Sequence, residues 1–144
     1  MTDAPEIRFA TEIVWDAGLT GTGVTDTGVE LSVGEEGDCS PAHLLSLAAE
    51  SCFMSTYLRV AEQTGLAVLG YVSTAWTQVP SDPKAATRVT VCPCIVVATE
   101  EDAVNARRVC DEALLRSPVC RALGDRLTVE ATVNVITPTV APAG

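Results

Sequence analysis

Apolar residues alternate imperfectly over residues 7–15 (IRFATEIVW), which predicts a strand. Residues 16–28 (DAGLTGTGVTDTG) are rich in Gly and Asp, residues that supply unusual backbone angles, so turns around a short extended piece are expected there. Residues 29–33 (VELSV) read as another strand, completing a small antiparallel meander. The pattern then changes. From Ser40, an N-cap residue followed by Pro41 at the first helical position, a helix is predicted over 41–64, with Gly65 as its stop. Leu44, Leu45, Leu47, Ala48, Ala49, Cys52, Phe53 and Met54 make its first half apolar nearly all round. Only Ser46 and Glu50 suggest a wet stripe. A helix of that kind is buried on most sides. In so short a chain, one sheet covers one face and a second subunit is expected on the other.

Residues 67–79 and 87–98 read as long strands, with Ser81-Asp82-Pro83 as the turn between them. Thr99-Glu100-Glu101-Asp102 opens a second helix, capped by Thr99, that reaches about Arg116. Ser117-Pro118 restarts a short helix ending at Gly124, and residues 126–136 form a last strand. The fold class is α+β. The chain has 144 residues, 47% of them hydrophobic, enough for one domain over residues 1–144 with a real core.

The formal net charge of -10 would repel a phosphate backbone or an anionic membrane surface, so neither nucleic acid nor membrane is expected as a partner. No apolar run is long enough to cross a bilayer. The first six residues lack a basic region and an apolar signal core, so a cytoplasmic location is expected. There, the six cysteines at 39, 52, 92, 94, 110 and 120 stay reduced. Zinc-site spacings are absent, and the single histidine, His43, rules out most hydrolase triads and histidine-based metal sites. Cys92 and Cys94 share a strand face and could meet one soft ion. With no further ligand evident, core packing is expected for both, and no metal; Pro93 suggests an edge or bulge. Cys110, on an amphipathic helix, is also expected in the core, and Cys39 on the surface.

The stretch from Ser40 to Phe53 resembles the central-helix motif of the osmotically induced / organic hydroperoxide resistance (OsmC/Ohr) family: a small polar residue and Pro, a Leu pair, and a Cys eleven residues after the Pro, here Pro41 and Cys52. Ser117-Pro118-Val119-Cys120 resembles the family's Cys-Pro segment near the C-terminus. Element order and length agree along nearly the whole chain. The resemblance implies an intertwined homodimer, with long central helices wrapped by antiparallel sheets. It implies dithiol-dependent reduction of organic hydroperoxides, with Cys52 as the attacking thiol, a second cysteine that resolves it, an external dithiol reductant, and no metal or organic cofactor. The family's second cysteine falls at the position of Ser117; Cys120, at N3 of the short helix, where a side chain reaches back toward the cap, is the candidate for that role. An apolar pocket for the hydroperoxide would be lined by Leu44, Leu45, Phe53 and Met54, with His43 beside it. The alternative is a member that keeps the fold but binds a hydrophobic small molecule, or senses redox state through Cys52. Two positions favour that alternative: Ala42 stands where the family motif has a glutamate, and Gly18-Leu19 where Gly-Arg is expected. Arg121 is a candidate source of positive charge beside Cys120. Glu50 lies about 200° round the helix from Cys52 and is not expected to touch it.

Overall fold

Three strands form an antiparallel meander in the order β1 (Thr11–Ala17), β2 (Thr20–Thr25) and β3 (Glu30–Val33). The computed structural model describes residues 5–136, and the chain divides into two units, one ending at Leu44 and the other starting at Leu45. β1 starts and ends later than the predicted 7–15, and the short extended piece expected within 16–28 is the six-residue strand β2. A Cβ at Gly21 would stand 3.0 Å from the Val14 carbonyl oxygen, a tight contact that β1 could accommodate only by shifting. Gly18, with φ 53, makes the tight β1–β2 turn.

The helix α1 (Pro41–Thr64) has the predicted bounds. The Ser40 hydroxyl accepts the His43 backbone N–H at 3.2 Å, as an N-cap should. At the other end Gly65 takes φ 74, and the Leu66 N–H closes back on the Ala61 carbonyl at 2.9 Å.

In the second unit α1 is followed by β4 (Gly70–Gln78), β5 (Arg88–Val97), α2 (Glu100–Arg116), α3 (Pro118–Leu123), β6 (Leu127–Val129) and β7 (Thr132–Val135). β4 pairs antiparallel with β5, whereas β6 and β7 both pair parallel with β5. This sheet is therefore mixed, where antiparallel pairing was expected. The connection through α2 and α3 is a crossover long enough to return the chain in parallel. The single strand predicted at 126–136 is broken between β6 and β7. The break falls opposite Cys92 and Pro93, where proline has no N–H to continue the ladder. Pro93 thus lies in a central strand and marks a gap in its neighbour.

The core of this unit joins Phe53, Tyr57, Val60 and Ala61 of α1 to Ile95 and Val97 of β5 and to the alanines 103, 106 and 113 of α2. The Tyr57 hydroxyl of α1 donates to the Ala106 carbonyl of α2 at 3.1 Å. Elsewhere on α1, Leu47, Met54 and Leu58 stay partly exposed. Among the described residues no helix is long and apolar enough to cross a membrane.

Candidate active site

α2 and α3 meet at Ser117, and every polar group of that residue has a partner. Its N–H donates to the Ala113 carbonyl at 2.9 Å and closes α2, while its carbonyl accepts from the Arg121 N–H at 2.9 Å and opens α3. An N-cap serine ordinarily turns its hydroxyl onto the backbone of the helix it starts. Here no such bond forms. The Ser117 hydroxyl, in a fully buried residue, donates to the Cys52 Sγ at 3.0 Å.

Cys120, the third residue of α3, is only 3% exposed. Its Sγ donates to the Ala49 carbonyl at 3.8 Å, one turn before Cys52 on α1. Burial raises its thiol pKa and the charge of Cys52 adds to that, while a hydrogen bond from Ser117 opposes them. Cys52, Ser117 and Cys120 thus form one cluster where α3 meets α1. Cys52 is half-buried and so keeps an approach from outside. The structure brings together the two cysteines expected from sequence and adds Ser117, which sequence reasoning did not assign a role. Its signal was present, in a Ser-Pro where the resembling family has Cys-Pro.

The other predicted site residues lie elsewhere. His43 and Leu44 belong to the first unit. The His43 Nδ1 is 2.7 Å from the Ser40 Oγ, so its ring helps to cap α1. Leu44 lines an apolar cavity of about 480 Å³ with Ile13, Val24, Leu31 and Val33. Leu45 packs beside the small cluster of Ala49, Val89 and Val91. Phe53 is fully buried, its ring centroid 6.0 Å from that of Tyr57, whereas Met54, the next residue of α1, is 37% exposed. Phe53 thus packs in the core and lines no open pocket. Arg121 is exposed. The buried Glu50 Oε2, Tyr71 hydroxyl and Ser73 hydroxyl have no hydrogen-bond partner among the described residues. Burial first, then the charges of Cys110 and Glu50, push the Tyr71 hydroxyl above the ordinary tyrosine range. Cys110 packs against the core as expected, its thiol pushed up to about 11 by burial and by Asp111. Among the described residues, no group of three or more His, Cys, Asp or Glu side chains is placed to hold a metal ion.

A family model described as OsmC-like protein matches residues 34–132. No curated protein matches the chain in sequence. Solved structures share the fold at low identity. An organic hydroperoxide resistance protein OsmC from Legionella pneumophila is 18% identical with a TM-score of 0.70, over 92% of this chain and 100% of that one. An organic hydroperoxide resistance protein from Elizabethkingia anophelis is 19% identical with a TM-score of 0.72, over 92% and 99%. An OsmC-like protein from Mycoplasma pneumoniae is 13% identical with a TM-score of 0.74, over 92% and 100%.

Proposed function

We propose, from the premise that this chain belongs to the OsmC-like protein family, that it reduces organic hydroperoxides with Cys52 as the attacking thiol. The observation that carries this reading is the hydrogen bond of 3.0 Å from the Ser117 hydroxyl to the Cys52 Sγ, with Cys120 beside it. A donor aimed at a sulfur favours the thiolate, and a hydrogen bond to a charged acceptor contributes about 1.5–3 kcal/mol. The family's glutamate and arginine positions hold Ala42 and Leu19, so Ser117 takes up part of their task.

The Cys52 thiolate attacks one peroxide oxygen. An S–O bond forms, the O–O bond breaks, and the alkoxide leaves as an alcohol after taking a proton. Cysteine is oxidised to sulfenic acid and the peroxide is reduced. Cys120 then gives up its proton and attacks the sulfenic sulfur, so that a disulfide forms and water leaves. An external dithiol restores both thiols by exchange. Cys120 is held protonated in the resting state, which keeps it in reserve until Cys52 is oxidised. The cycle needs no metal or organic cofactor. It operates in a homodimer in the cytoplasm, where such reductants are maintained.

The test is consumption of cumene hydroperoxide with dithiothreitol as reductant. The parent chain should turn over, Cys52→Ser should be inactive, and Cys120→Ser should stall after one equivalent of peroxide. A parent chain no faster than Cys52→Ser would overturn the peroxidase reading. A second reading is favoured by the apolar cavity that Leu44 helps to line, together with the absence of any arginine between Arg8 and Arg59. On that reading the chain holds a hydrophobic small molecule and Cys52 reports redox state without turnover.

A further inference from the structure

The outer face of the second unit's sheet carries two thiols that the Cys52 chemistry does not use. Along β5 the side chains of Val89, Val91, Pro93, Ile95 and Val97 are buried against the helices. Residues between them point the other way, so Cys92 and Cys94 lie together on the outer face, both partly exposed. With a rise of about 3.3 Å per residue their Cα atoms are about 6.6 Å apart, close enough for the two sulfurs to lean toward each other. β4 pairs with β5 through Cys92, Pro93 and Cys94, which holds this spacing.

The surroundings of the two sulfurs are polar. Where Pro93 interrupts the neighbouring ladder, Glu130 and Asn134 flank the pair. The Cys92 thiol points to the Glu130 Oε2 at 3.9 Å, and the Asn134 Nδ2 donates to the Cys94 Sγ at 3.3 Å. Thr74 lies opposite Cys92 in the ladder. Since no three ligating side chains converge among the described residues, the four-ligand cage of structural zinc does not form here. Two thiolates on one face suit a soft monovalent cation, for which sulfur is the preferred ligand.

We propose that Cys92 and Cys94 form a two-coordinate thiolate site for Cu(I). Binding releases two S–H protons to solvent, that of Cys92 by way of Glu130, and forms two Cu–S bonds. No electron is transferred, because copper enters as Cu(I). Glu130 is placed to take the Cys92 proton, and the Asn134 amide continues to donate to the Cys94 sulfur once that sulfur is a thiolate. Because both sulfurs bind as thiolates, affinity rises with pH. The site is independent of the peroxidase reading.

The experiment is anaerobic titration of the full chain with Cu(I), with bicinchoninate as coloured competitor. One ion per chain is expected. Cys92→Ser and Cys94→Ser should each weaken binding at least a hundredfold, whereas a chain carrying both Cys52→Ser and Cys120→Ser should bind as the parent does. Unchanged affinity in the first two variants, loss of binding in the last, or half an ion per chain would each overturn the site. A second measurement does not depend on how the variants fold. In the copper-loaded parent, peptide mass mapping should find Cys92 and Cys94 protected from alkylation together. Their free alkylation in the loaded chain would also overturn the proposal.

Discussion

Ser117 ends one helix, begins another, and turns its hydroxyl away from both. That choice costs α3 a cap bond, and such bonds are worth about 1 kcal/mol. The donor reaches the Cys52 sulfur instead. Ser117→Ala should therefore slow alkylation of Cys52 at neutral pH roughly tenfold, the rate equivalent of about 1.4 kcal/mol. Because the hydroxyl caps nothing, helix content should not change. Peptide mapping of a timed alkylation reads the rate, and an unaltered Cys52 rate would remove Ser117 from the site. At this scale the family spacing pointed to Cys52, whereas Cys120 lies three residues past the family's cysteine position, which Ser117 occupies. The sequence was misread at Cys92 and Cys94, which were expected in the core. The alternation of Val89, Val91, Ile95 and Val97 already placed the even-numbered residues outward, but the apolar character of cysteine obscured it.

Among the elements, those with a chemical start signal were the most legible. Ser40-Pro41 and Thr99 open their helices as expected, and the Thr99 hydroxyl accepts from the Asp102 N–H at 3.0 Å. Thr99→Ala should lower the unfolding free energy by about 1 kcal/mol in urea titration, with no effect on peroxide consumption. A drop in turnover at unchanged stability would give Thr99 a role in the site that the geometry denies it. Strand direction was not legible, because inward and outward alternation is the same in parallel and antiparallel ladders. The break between β6 and β7 also escaped notice, since its cause, Pro93, lies on a different strand.

The whole molecule leaves a large apolar surface uncovered. In the first unit Ile13 and Trp15 are 67% and 75% exposed, and in the second Leu47 is 50% exposed on α1. Exposed apolar side chains in such numbers favour association. Sedimentation at low micromolar concentration should give twice the 15.0 kDa chain mass, and a stable folded monomer would contradict the dimer. The sequence carried this expectation, because α1 is apolar on more sides than its own sheet can cover.

The seat of Cys120 against the turn of α1 that carries Ala49 has a thermodynamic side. A bond from Cys52 to Cys120 closes a loop of roughly 70 residues, and in the chain-entropy account a closure of that length takes about 4 kcal/mol of freedom from the unfolded ensemble. Each turn of the proposed cycle would thus alternate between a cross-linked chain that resists melting and a looser one. The reductant that restores the thiols would also return the protein to its less heat-resistant form.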